Sequence, residues 1–264
     1  MIDHIFPDPT PKENRTAIID FDIVINQAAR YGADHNESPY DVFDRITHVI
    51  NEWRTGARCT RQILCVSCSR ADNYRRDYLP EYKAHRDKEP DEAERKRREM
   101  LTLAHTWASE NLKLVRRPRL EADDLLGLLS KEDRVMVTID KDLRTVPGWH
   151  YNPDKDDFPV RVTEAEADRL LIRQWLTGDS TDNIKGCPAI GPKKADKFLD
   201  ETPREGWVSG VFALYEARDM DREAALSMWH AVKILRPGEY WGGQFQLRTP
   251  DLMFPSIENH IPKE

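Results

Sequence analysis

A chain of 264 residues with 39% apolar and 33% charged residues can fill one large core, or a main domain with a smaller appendage, and is not a disordered polyelectrolyte. The net charge of -7 excludes a simple polycationic coat for nucleic acid, but not a protein whose acids are gathered at a metal site where bound cations reverse the local sign. No stretch is apolar for the length of a membrane span and no basic segment followed by an apolar run opens the chain, so a soluble, cytoplasmic protein without a membrane partner is expected.

Residues 1–15 contain three prolines and read as a loose lead-in. Ala17-Ile18-Ile19-Asp20 is a short buried strand ending in an acid. Helical spacing follows over Val24–Tyr31 and Pro39–Trp53, the latter through Val42, Ile46, Val49, Ile50 and Trp53. Ile63–Ser67 reads as a second strand. Cys65 and Cys68 within and after it would point to opposite faces, which favours reduced core cysteines over a shared zinc or a redox pair. Residues 88–110 are highly charged and then amphipathic. Leu112–Val115 is a third strand, Glu121–Leu129 a helix, and Val135–Ile139 the clearest strand. Strands alternating with helices predict a parallel α/β sheet, whose active site lies beyond the carboxyl ends of the strands. After Pro159 the character changes. Glu164–Thr177, Lys193–Leu199 and Arg222–Leu235 read as helices, with a Gly/Pro-rich segment, Gly178–Pro192, between the first two and a surface tail from Arg236.

Four acidic motifs punctuate these elements: Asp20-Phe21-Asp22, Glu121-Ala122-Asp123-Asp124, Asp140-Lys141-Asp142 and Gly178-Asp179-Ser180-Thr181-Asp182-Asn183. Asp140 and Asp142, two apart in extended chain, would point the same way, and Glu121 and Asp124, three apart on a helix, would share a face. Each motif alone reads first as a helix cap or a turn. Taken together they imply convergence. Two carboxylates about 4 Å apart repel by about 4 kcal/mol at an effective dielectric near 20, so a fold that gathers several requires cations. All-oxygen ligands select hard ions, Mg²⁺ or Mn²⁺, and two such ions are a common device for in-line phosphoryl chemistry.

These motifs, together with Leu79-Pro80-Glu81-Tyr82-Lys83-Ala84-His85-Arg86, occur in an order that resembles the structure-specific 5′-nucleases: phage 5′–3′ exonucleases, flap endonucleases and the 5′-nuclease domain of bacterial DNA polymerase I. The likeness spans roughly residues 17–200. The chain length and Leu235–Tyr240 look most like the T7-type phage exonucleases. The resemblance implies a PIN-like, mostly parallel central sheet flanked by helices over residues 1–160, with a helical arch over about 83–110. It implies a helical, helix–hairpin–helix-type (H2TH) DNA-binding domain and tail over 161–264.

By the same resemblance, Asp20, Glu121, Asp123, Asp140, Asp142, Asp179 and Asp182 surround two Mg²⁺ ions, with Mn²⁺ able to substitute, and Asp124 matches as a further acid. Lys83 and Arg86 would stabilise the developing phosphate charge, and Tyr82 would stack on a terminal base. Arg75, of the pair Tyr74-Arg75, would also meet the substrate. Gly186, Gly191, Lys193 and Lys194 of the segment Gly186–Lys194 would grip a duplex backbone, with K⁺ bound there. Arg95-Lys96-Arg97-Arg98 reads either as part of the arch or as a solvated helix face. One departure stands out: the family's acid at the end of the second strand is replaced by Cys68. Asp72 could take its place, or the contact is lost. The implied activity is 5′–3′ exonuclease or flap endonuclease on DNA, at a duplex 5′ end or 5′ flap and independent of sequence, extending to RNA–DNA hybrids and carried out by a monomer. The alternatives are a PIN-type endoribonuclease and a non-catalytic DNA-junction binder.

Overall fold

The computed structural model describes residues 14–84, 89–241 and 244–254, so most of the N-terminal lead-in and Arg86 lie outside the described residues. The first strand, β1 (Thr16–Asp20), is buried along its whole length. It pairs in parallel with β2 (Arg61–Cys65) on one side and β4 (Arg134–Val137) on the other. β3 (Leu114–Val115) extends the β2 edge in parallel, while β5 (Gly148–Tyr151) runs parallel to β4 and β6 (Val160–Val162) antiparallel to β5. The spatial order is β3-β2-β1-β4-β5-β6, so successive strands leave β1 first to one side and then to the other. That reversal at β1 and β4 opens a crevice at their carboxyl ends, where open α/β sheets bind ligands. The mostly parallel sheet expected from the sequence is present; β5 and β6 are additions to it.

Alternation along the strands assigns the two faces. Ala17, Ile19, Leu64, Val135 and Val137 pack toward α1 (Phe21–His35), α2 (Pro39–Gly56) and α4 (Glu92–Asn111). Ile18, Cys65 and Met136 face the other way, toward α5 (Ala122–Leu128) and the Leu143–Val146 turn. α2 opens on a capping box, Ser38 with Asp41, and Pro39 at its first position. α4 is the expected charged, amphipathic segment. Its fully buried residues are the small Ala104 and Ala108, which let it lie close against α1. Arg97 pairs with Asp34 of α1 and Arg98 with Glu94, so these two members of the basic run serve a helix face.

The C-terminal helices are α6 (Glu164–Thr177), α7 (Pro192–Glu201), α8 (Trp207–Glu216) and α9 (Arg222–Val232). They enclose their own core around Trp175 and Trp229, whose rings meet edge to face at 5.1 Å. α9 stops at Val232, short of the expected Leu235. Lys233 turns inward, fully buried, and forms an ion pair with the equally buried Glu239. The tail then returns as a hairpin, β7 (Tyr240–Trp241) and β8 (Gln244–Phe245), and Tyr240 and Phe245 pack on the core of the α5 face.

The short helix α3 (Arg75–Tyr78) ties the sheet to these helices. Arg75 is buried and donates to both oxygens of Asp124 at 2.7 and 2.9 Å, and to the carbonyls of Ala231 and Lys233 at 3.0 and 2.9 Å. The Leu235 N–H adds a hydrogen bond to Asp124. Removing Asp124 would strip the buried Arg75 of its two-oxygen partner, leaving Glu121 at 3.2 Å as its remaining carboxylate, and would leave the Leu235 N–H without this acceptor. Asp124→Ala is therefore expected to lower the unfolding free energy by about 3–5 kcal/mol in denaturant melts, whereas a loss below about 1 kcal/mol would contradict this role.

Candidate active site

Each acid enters the crevice from a defined structural position. Asp20 is both the last residue of β1 and the N-cap of α1; its Oδ1 accepts from the Ile23 N–H at 3.4 Å and its Oδ2 from the Thr138 hydroxyl at 3.1 Å. Asp22, in the first turn of α1, accepts from the Ser67 N–H at 3.0 Å and so is fixed to the chain just beyond β2. Glu121 caps α5 and Asp123 lies in its first turn. Asp140 begins a short 3₁₀ turn after β4, accepting from the Asp142 N–H at 2.9 Å. The extended geometry expected for Asp140-x-Asp142 is thus replaced by a turn, yet both side chains line the same cleft. Asp179 and Asp182 arrive from the helical part. Gly178, at φ +65°, ends α6 and lies against Gly186, also at φ +65°; a Cβ on Gly178 would fall 2.2 Å from the Ile184 carbonyl oxygen. This contact, possible only for residues without side chains, folds Asp179–Ile184 into a tight loop aimed back at the sheet.

The resulting cleft has a volume of about 1130 Å³ and is lined by Asp20, Asp22, Glu121, Asp123, Asp140, Asp142, Asp179 and Asp182, with Lys83 among them. Burial and then Asp22 push the Asp20 carboxyl up to about 7. Burial, Asp140 and contact with Asp179 do the same to Asp142, also to about 7. Asp123 is raised by burial and by Asp20, Asp140 and Glu121. Glu121 is the exception. Burial opposes its charge, but Lys83 and Arg75 outweigh that and hold it at about 2. The Lys83 ammonium is 2.7 Å from Glu121 and 3.3 Å from Asp182, and these acids raise its pKa against the opposing effect of burial. Among the described residues no three carboxylate, imidazole or thiol groups close on a single point as a preformed cage would. The acids instead wall an open, all-oxygen cleft, which suits a hard cation that keeps part of its water shell.

Residues 26–150 match the family model described as the 5′-3′ exonuclease N-terminal, resolvase-like domain. Over this segment the chain is similar to 5′-3′ exonuclease N-terminal domains. The sequence is 28% identical over 145 residues to DNA polymerase I of Rhizobium leguminosarum, covering 50% of this chain and 14% of that protein. It is 29% identical over 98 residues to the exonuclease of Escherichia phage T7, covering 34% of this chain and 32% of the phage protein. The chain therefore spans a minor part of these relatives' lengths. The fold is similar to that of the phage T5 D15 flap endonuclease, solved in a pseudo-enzyme-product complex with DNA and metal ions. The TM-score is 0.57 and the identity 17%, over 83% of this chain and 87% of that one.

Several sequence expectations are corrected by the surroundings of the clustered acids. Asp124 is fully buried on Arg75 and does not line the cleft, so its place is in the support beneath the site. Arg75 is buried with it and cannot reach substrate. Tyr82 is also buried; its hydroxyl donates to Glu121 at 2.7 Å and lies 3.0 Å from Asp182, so it cannot stack on a base. Asp72 does not replace the missing acid, because its Oδ2 accepts from the Arg119 N–H outside the cleft. Cys68 stands in the cleft rather than in the core, with burial and then Glu121 pushing its thiol up to about 11. The described part of the expected arch is the single helix α4, which forms one wall of the cleft through Leu101, His105, Thr106 and Ser109. Gly191 precedes α7 with open space around it. Lys193 and Lys194 are exposed there, Lys194 donating to the Ala189 carbonyl, and none of the three lines the acidic cleft. Ser67 and Thr138 are site residues that the sequence did not single out, and Asp22, named there only as part of the first acidic motif, joins the cleft lining.

The raised carboxyls set a pH dependence. Asp20 and Asp142 bind protons up to about 7 in the folded chain against 3.8 ordinarily, so the folded state holds protons that the unfolded chain has released. Without cations their contribution to stability therefore falls as pH rises from about 4 to about 7. Glu121, at about 2 against 4.5, acts oppositely: its contribution is complete above its ordinary value and fades as pH falls through 2. Ions that bind the ionised carboxylates offset the loss, so the rise in Tm on adding Mg²⁺ after EDTA is expected to be larger at pH 8 than at pH 5.5. An increment independent of pH in paired thermal melts would count against it.

Proposed function

We propose that this chain is a divalent-cation-dependent 5′-3′ nuclease that hydrolyses DNA phosphodiesters at duplex 5′ ends or 5′ flaps and leaves 5′-phosphates. The carrying observation is that four separate acidic motifs line one cleft at the carboxyl ends of the sheet, with Lys83 held among them. The relatives named exonuclease and polymerase, and the T5 flap endonuclease solved with DNA and metal ions, support the same reading.

The donor set fits two hard ions, Mg²⁺ or Mn²⁺, held by Asp20, Glu121, Asp123, Asp140, Asp142, Asp179 and Asp182. Such ions lower the pKa of bound water and offset charge on the leaving oxygen. The protein's own share is positional. Thr138 and the backbone N–H groups of Ile23 and Asp142 orient Asp20 and Asp140. Lys83 presents a cation at the cleft wall, where charge develops on a phosphoryl oxygen. The start of α7 and Lys193 would hold a duplex backbone without reading bases, with K⁺ in the Gly186–Gly191 turn. RNA–DNA hybrids and a monomeric state belong to the same proposal.

The test is a duplex and a 5′-flapped DNA, labelled at the 5′ or 3′ end, digested with Mg²⁺ and then with EDTA, beside a single-stranded RNA. Short products from the 5′ label should appear first, vanish with EDTA and exceed those from RNA. Lys83→Ala should lower the single-turnover rate about 10²- to 10³-fold. Initial release from the 3′ label, or cleavage indifferent to EDTA, would refute the proposal.

A further inference from the structure

The loop that follows β3 carries a charge pattern the acidic cleft does not explain. Residues 112–120 contain four cations and no acid in a chain of net charge -7. Arg116 is exposed, lines the cleft, and makes no ion pair among the described residues. Arg117 is also exposed, and its side chain donates to the Arg116 carbonyl. Arg119, between Arg116 and Glu121 of the cleft lining, pairs with Asp77 and lies over the Phe245 ring, 5.4 Å from its centroid. Phe245 belongs to the C-terminal hairpin, opposite Tyr240, and packs on Tyr74 at 4.7 Å. The next residue of that hairpin, Trp241, is 83% exposed, the highest value among the exposed large apolar side chains. The loop therefore begins in the cleft and ends against a hairpin that displays an indole.

We infer that Arg116, Arg117 and the Trp241 hairpin form a landing surface for an unpaired strand of nucleic acid as it leaves the cleft. The surface offers what such a strand needs. Guanidinium groups meet successive phosphates, and an exposed aromatic face stacks on a base regardless of its identity. Duplex DNA keeps its bases stacked inside and gains nothing from the indole. The local charge favours a polyanion: along this loop Arg116, Arg117 and Arg119 stand against Asp72 and Asp77, both of which are engaged by Arg119. Tyr240 and Phe245 are half-buried against the core while Trp241 stays outside, an apolar exposure that packing does not recover. This inference rests on the nuclease reading, because it takes the strand from that cleft.

The experiment is fluorescence anisotropy with Ca²⁺ in place of Mg²⁺, using a duplex that carries an unpaired single-stranded 5′ segment and a blunt duplex of equal length. Arg116→Ala/Arg117→Ala should weaken the segment-bearing probe and flatten its log K against log salt slope by about 1.4, the value for two lost phosphate contacts on a single strand. Trp241→Ala should weaken the same probe about fivefold or more and leave the blunt duplex within twofold. Trp241→Phe should retain affinity while losing part of the tryptophan quenching that wild type shows on binding. Thermal melts matching wild type establish that the variants are folded, and Arg117→Ala alone supplies a milder substitution with half the change in slope. Variants that bind both probes like wild type, or that lose both equally, overturn the inference. A wild-type protein that cleaves DNA under Mg²⁺ while the variants bind normally would sink this surface and leave the nuclease standing. A wild type that neither binds nor cleaves would sink the nuclease reading itself.

Discussion

Like charges crowded into one crevice govern this structure. Eight acids with side chains at the carboxyl ends of the strands repel one another, and burial removes the water that would screen them. The fold answers locally, with a donor for many of them: the Ile23 N–H and Thr138 hydroxyl for Asp20, the Ser67 N–H for Asp22, the Asp142 N–H for Asp140, the Thr181 N–H for Asp179. Lys83 and Arg75 neutralise Glu121 outright. What remains is carried as raised proton affinity on Asp20, Asp123 and Asp142. A crevice in that state gains most from whatever brings positive charge into it.

Holding acids together also needs a rigid floor. The Arg75–Asp124 pair, with the carbonyls of Ala231 and Lys233, locks α3 and α5 to the end of α9. Tyr82 reaches from the same region to Glu121 and Asp182. The buried Lys233–Glu239 pair fixes the tail one step further out. Such pairs give little net stability compared with apolar packing, but each is punishing to break, and they specify one arrangement of the acids above them.

Local pattern made much of this legible before any coordinates. β1 and β4 are short apolar runs closed by an acid or leading to one, and Glu164–Thr177 carries both its capping box and its terminal glycine in the sequence. Long-range packing hid the rest. Nothing near Arg75 or Tyr82 announces that carbonyls more than 150 residues away, or an aspartate 100 residues away, will take them inside. β5 has four residues with one fully buried, too little alternation to declare a strand. α8 is apolar on more than one side, so no stripe stands out in its sequence, although only Trp207, Val208, Val211 and Tyr215 are buried. Asp140-x-Asp142 misled for a different reason: an aspartate ending a strand can bend the chain onto its own carboxylate, and the spacing then no longer describes extended backbone.

The tight apposition of Gly178 and Gly186 has a consequence for how the molecule divides. It is the device that returns Asp179 and Asp182 to a sheet whose last strand ended many residues earlier. The matched segment, 26–150, contains Glu121, Asp123, Asp140 and Asp142 but neither Asp20 nor those two aspartates. The crevice is thus a joint possession of three stretches of chain. A piece cut at the end of the sheet would keep the architecture's outline and forfeit a wall of its working surface.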